Sequence, residues 1–314
     1  MRSWTSRYGG GASAILTALA VAQSLAAHPG SHHATHLNVQ GEWAVVEVRL
    51  GNDRQSYRFI VDSAAGATVI DQALASRFTA VASSGSSNVQ GASGNQASFQ
   101  NAKLGRLRVA GLSFWNLEVV VTDMKQFSGK TNQHYDGILG SDVLSRYSYV
   151  FDVPGHRLTL IDADRPDPRR WGECIDNPLL SRPEGANGFL AVPVALHGGV
   201  RAVGIVDTGA ATSILNWPAA SASGLSKDGT GVSAAEGVVG FDPKASTASY
   251  KAQVVGAAIG SKPLSPFNAR LSDLSVFEGF GLKEKPGMIV GANIWRTTPF
   301  AAARGVRAFC GTIS

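Results

Sequence analysis

Two stretches of this chain are built to one plan, and that repetition narrows what it can fold into more than any other feature. Residues 59–70 read FIVDSAAGATVI and residues 204–215 read GIVDTGAATSIL. Each is an apolar run suited to a buried strand, then an aspartate, a hydroxyl residue and very small side chains. The likeness extends upstream, where 42–71 aligns with 187–216 over about one gap: an alternating strand, a short turn, and a second strand ending in Ile-Val-Asp. It also extends downstream, to DGILG at 136–140 and GMIVG at 287–291. Gly140 follows Asp62 by 78 residues and Gly291 follows Asp207 by 84. After each glycine comes a short helical stretch (SDVLSRY, ANIWRTT) and then a last strand (HRLTLI, VRAFC). Two features in one order at matching separation imply an internal duplication.

The copies occupy residues 40–161 and 187–314, and the proline-rich, charged stretch 162–186 between them reads as a linker. With 36 glycines, abundant small residues and little helical periodicity, each copy is expected to be a run of short strands, so the fold class is all-β. Hydrophobic residues at 44% and charged residues at 16% suit a sizeable core and argue against global disorder. The stretches 82–97 and 226–250 read as mobile hairpins in corresponding positions.

Residues 1–26 have the pattern of a secretion signal: Arg2 and Arg7, a short apolar core at 12–22, and small residues at 24–26. A periplasmic or secreted location follows. Removing Arg2 and Arg7 lowers the formal net charge from +5 to +3, too mild to argue for nucleic-acid or membrane binding. Nothing later resembles a membrane span. His28, His32, His33 and His36 crowd residues 27–39, which read as a solvated, flexible leader rather than a metal-binding tail. Cys174 and Cys310 leave two readings, one disulfide or two buried thiols, and zinc-type cysteine pairs at close spacing are absent.

A lone aspartate at a strand end is ordinarily a turn-former. Two in duplicated halves are different, because an approximate twofold axis brings Asp62 and Asp207 face to face. Neighbouring carboxyls cannot both ionise readily, so they share a proton. The ionised one can then take a proton from a water while the other polarises a carbonyl, which is amide hydrolysis with no metal and no cofactor. Asp136 reads as a loop cap, whereas Asp123, Asp142 and Asp152 lack a counterpart in the second half. Trp115 reads as packing. No serine-nucleophile elbow, zinc-protease helix, phosphate loop or dinucleotide fingerprint is present.

The Asp-Thr-Gly-Ala at 207–210 and the aliphatic-aliphatic-glycine turns resemble aspartic proteases, most closely bacterial retropepsin-like proteins, here duplicated in one chain. The resemblance implies two pseudo-symmetric lobes with an active-site cleft between them, and Asp62 and Asp207 as the catalytic pair. It implies that Ser63 and Thr208 cross-brace the two loops, that the N–H groups of Ala64 and Gly209 bond the carboxylates, and that Gly140 and Gly291 pack beneath. The hairpins become flaps over an extended peptide. The expected activity is an exported aspartic endopeptidase acting on peptides or unfolded proteins, monomeric because one chain completes the site. The first motif departs from the pattern, reading Asp-Ser-Ala-Ala. The Ala64 methyl needs space and is strained if φ is positive. It motivates the alternative of an impaired pseudoprotease that binds extended peptides without cutting them.

Overall fold

The computed structural model describes residues 30–80, 86–90, 96–127, 133–172, 174–179, 189–239, 246–304 and 308–311. The expected signal segment lies outside these residues. Strands β1 (His32–Gln40), β2 (Trp43–Leu50) and β3 (Tyr57–Val61) form an antiparallel meander that ends at Asp62. A loop reaches β4 (Val69–Asp71), helix α1 (Gln72–Phe78) and the short β5 (Thr79–Ala80). β6 (Ser86–Gln90) and the long β7 (Gln96–Val109) form a hairpin, and β8 (Leu112–Thr122) returns along β7. β9 (Gly137–Leu139), α2 (Ser141–Leu144), β10 (Ser148–Asp152) and β11 (Arg157–Ile161) complete the first half.

The connecting stretch holds α3 (Pro168–Trp171) and β12 (Cys174–Ile175). The second half begins with β13 (Ala191–Leu196), β14 (Val200–Val206), β15 (Ile214–Leu215) and α4 (Trp217–Ala222). The hairpin β16 (Ser233–Val239) and β17 (Ser246–Val254) follows, then β18 (Ala258–Ile259), β19 (Lys262–Pro263) and β20 (Phe267–Leu271). Last come α5 (Ser275–Gly279), β21 (Gly287–Val290), α6 (Ala292–Trp295), β22 (Phe300–Ala302) and β23 (Phe309–Cys310). The protein is mostly β, as the all-β expectation requires.

One arrangement occurs twice. β9 inserts between β3, to which it is parallel, and β4, to which it is antiparallel; β21 inserts between β14 and β15 in the same way. The neighbours run β2-β3-β9-β4-β8-β7 in one sheet and β13-β14-β21-β15-β20-β17 in the other. In each half the loop after the aspartate must therefore cross the end of the inserted strand. The two expected hairpins form as β6–β7 and β16–β17, with tips at 91–95 and 240–245 outside the described residues.

Three expectations need correction. Residues 32–39 are no flexible leader, because β1 pairs with β11 through His32–His36 and with β2 through Leu37–Gln40. Ladder hydrogen bonds on both sides hold it although only Leu37 is fully buried, and the alternation of strand side chains spreads its histidines over two faces. Among the described residues no group of three or more His, Cys, Asp or Glu comes together. The boundary at 187–314 is crossed as well. β22 pairs with β10 of the first half, and β23 joins β22 to β12, where Cys174 is disulfide-bonded to Cys310. Buried Trp295, Phe300, Phe309, Tyr149 and Phe151 pack ring against ring around this junction, which gives the crossing its apolar driving force. Lastly, Trp115 does not pack inside: it is 60% exposed, with the Arg106 guanidinium 4.6 Å over its ring. No helix among the described residues is long and apolar enough to cross a membrane.

Candidate active site

β3 and β14 end in buried Ile-Val and deliver an aspartate just where the ladder to the inserted strand stops. The Asp62 N–H still donates to Leu139 O (3.1 Å), and that of Asp207 to Val290 O (3.0 Å). Beyond this point the chain turns and each carboxylate gathers its own loop. Asp62 Oδ1 accepts from the N–H groups of Ala64 and Ala65, and Asp207 Oδ1 from those of Gly209 and Ala210, all at 2.9 Å. Small residues are needed here because two consecutive amides must close onto one oxygen. Ala64 meets this need without strain, since it is not among the residues with positive φ.

The two loops are tied to each other. Ser63 N–H donates to Thr208 Oγ1 (3.0 Å), and Thr208 Oγ1–H to Val61 O (2.7 Å). Reciprocally, Thr208 N–H donates to Ser63 Oγ (3.2 Å), and Ser63 Oγ–H to Val206 O (2.8 Å). Both side chains are buried, so every bond in this ring is made away from water. The tie sets the two acids side by side: a methyl carbon at Gly209 would lie 2.3 Å from Asp62 Oδ2, so that glycine backs directly onto the other loop's carboxyl.

Beneath each loop the following turn closes in. Ser141 N–H donates to Ala65 O (2.8 Å), and Ala292 N–H to Ala210 O (2.7 Å). A Cβ on Gly140 would meet Ala67 O at 2.7 Å, and one on Gly291 would meet Thr212 O at 2.8 Å, so backbone approach excludes any side chain. Two further pairs were not read from the sequence. Thr68 bonds Asp142 Oδ1 and the Gly140 N–H, while Ser213 bonds Asn293 Oδ1 and the Gly291 N–H. Asp142 therefore does have a counterpart, Asn293, contrary to expectation. The signal was present: both stand two residues after the glycine, and both hydroxyls six after the aspartate. Asp136 caps Arg58 N–H and pairs with His134, while Asp123 and Asp152 make local turn contacts.

Trp43, also missed, reaches across from β2 to donate its indole N–H to Gly209 O at 2.8 Å. Nothing in the sequence marks that contact, which spans 166 positions.

Electrostatically the pair is poised to share a proton. Burial, with Asp62's charge as the second cause, pushes Asp207 up to about 8. Burial also raises Asp62, against the lowering effect of the Ala64 and Ala65 amides.

Residues 46–143 match a family model described as aspartyl protease, a span running from β2 through Asp62 to α2. No curated protein matches the chain. Over residues 46–143 the chain is thus similar to the retropepsin-like aspartyl proteases.

Proposed function

We propose that this chain is an exported aspartic endopeptidase, with two pseudo-symmetric retropepsin-like lobes produced by duplication and a dyad made of Asp62 and Asp207. The observation that carries the reading is the hydrogen-bonded ring of Ser63 and Thr208. The support it gives is to two half-buried carboxyls, each gripped by its own loop, on either side of one seam. A carboxylate and a carboxylic acid in that position suit a water-mediated attack on an amide. The ionised carboxylate accepts a proton from the water as its oxygen bonds to the scissile carbonyl carbon. The protonated partner donates its proton to the carbonyl oxygen, forming a neutral gem-diol. Collapse of the gem-diol breaks the C–N bond: one gem-diol hydroxyl returns its proton to the carboxylate that had acted as acid, and the proton taken from water passes to the departing amine. One proton is again left on the pair, so the cycle closes.

The hairpins β6–β7 and β16–β17 act as flaps that shield an extended peptide from water. Because both acids come from one chain, a monomer suffices, and the partner is a peptide or unfolded protein. Export is supported by the signal-like N-terminus and by the Cys174–Cys310 disulfide, a bond that persists in oxidising compartments. Ala64, which motivated a peptide-binding pseudoprotease, keeps both its N–H bond to Asp62 and an ordinary φ, so its motive for that alternative weakens.

The test is hydrolysis of a denatured protein by the wild type, Asp62→Asn and Asp207→Asn. Each variant is expected to lose more than about a thousandfold in turnover while staying folded. Comparable turnover in either variant would falsify the dyad.

A further inference from the structure

The Trp43 contact forms part of a relay. Trp43 Nε1–H donates to the carbonyl of Gly209, and the N–H on that same peptide unit, belonging to Ala210, donates to Asp207 Oδ1. A peptide whose carbonyl is held by a donor is polarised, and its N–H becomes a better donor in turn. The first loop lacks this aid. Ala65 N–H bonds Asp62 Oδ1 in the same way, but strand register makes Phe189 the match of Trp43, and phenylalanine carries no donor. We infer that Trp43 is a positioning residue which, through the 209–210 peptide, favours the ionised form of Asp207 and so eases release of the proton that Asp207 holds beside ionised Asp62. This inference rests on the dyad reading and assigns the roles within it, with Asp62 as base and Asp207 as acid.

The surroundings keep the relay distinct from other charges. Asp62 is the charged group that acts on Asp207. Near Trp43 stand Glu42 in the β1–β2 turn and Arg296, which holds Gly41 O at 3.2 Å. On the other side lie the Tyr135 ring, edge-on at 5.4 Å with its hydroxyl donating to Gln40 O, and the His134–Asp136 pair beyond it.

Trp43→Phe keeps a ring against Tyr135 and removes the N–H. The readout is a carbon-13 titration of the Asp62 and Asp207 carboxyls in both proteins, which needs no turnover. Losing the relay should raise the upper of the two titration steps by about half a unit to one unit and leave the lower one in place. With the single proton on Asp207, the relay stabilises only the doubly ionised state. In kinetics the alkaline limb should move up by the same amount, with kcat reduced about tenfold and KM within about twofold.

Two unchanged steps would make Trp43 merely structural and overturn the inference. Movement of the lower step alone would overturn it by placing the proton on Asp62. In the unmodified protein the Trp43 indole N–H resonance should follow the upper step, and a flat resonance would refute the relay even if the variant fails to fold. Two independent, uncoupled carboxyl titrations would instead sink the dyad itself.

Discussion

The loop Asp62-Ser63-Ala64-Ala65 and the loop Asp207-Thr208-Gly209-Ala210 make the same hydrogen bonds at nearly the same distances, yet they are not interchangeable. Each carboxylate takes two amides of its own loop, and each hydroxyl crosses to the other loop. Ala64 tolerates a methyl where Gly209 has none to spare, because Gly209 lies against Asp62 and is held from behind by Trp43. The supports differ in the same direction. The first half uses Asp71 and Asp142 to tie its turns, and the second uses Asn216 and Asn293. Comparable support is thus reached with carboxyl acceptors in one half and amide acceptors in the other.

Exchanging the odd residues should break the comparison most sharply. Gly209→Ala would put a methyl carbon 2.3 Å from Asp62 Oδ2, and the displaced carboxyl should lose at least about a hundredfold in kcat. Ala64→Gly should leave kcat within about threefold and lower stability by about 0.5–1 kcal/mol through added freedom in the unfolded chain. Equal losses in the two variants would show that the loops are equivalent after all.

A second contrast lies in pH. The native pair binds a proton more tightly than the unfolded chain does, since burial raises both groups. Its contribution to stability is therefore present below the ordinary carboxylate value and is lost as pH rises toward about 8. Asp207→Asn should be more stable than the wild type in urea at neutral pH, by a margin that shrinks on acidification. Turnover by the wild type should fall as pH rises through the same upper value, because the acid form is then lost.

Smaller effects come from the tie between the loops. Ser63→Ala and Thr208→Val each leave buried partners unpaired and should lower stability by about 1–3 kcal/mol, and the double variant by less than the sum. Simple additivity, read from denaturant midpoints, would mean that the two hydroxyls do not act as one ring. Smallest is the exchange of supports. Burial raises Asp142, so its stabilising protonated form fades as pH rises. Asp142→Asn should gain less than about 1 kcal/mol at neutral pH and nothing in acid, while Asn293→Asp should show the opposite dependence.

Much of this site was legible because it rests on short-range chemistry. An acid at a strand end, small residues able to close two amides onto it, and a glycine where backbones touch are all written in tetrapeptides. What escaped was settled by partners distant in the chain. β1 carries polar, histidine-rich residues with a single buried leucine, and its order comes from ladders to β2 and β11 rather than from a core face. The indole of Trp43 could be read as packing until Gly209 appeared at the end of it. Asp142 and Asn293 went unmatched because a carboxylate and an amide look unlike as letters while accepting the same hydrogen bond. The strands of 300–310 have ordinary apolar patterns, and no pattern names β10 as their neighbour.

That last crossing has a consequence for when the cleft can exist. β10 and β11 are synthesised long before β22 and β23, and until residues 300–310 arrive, Tyr149 and Phe151 lack the Phe300 ring that packs on both. The seam between the halves is sealed only when these residues arrive, and the Cys174–Cys310 bond then staples β12 to β23. The fold thus delays completion of the cleft until residues 300–310 have been made.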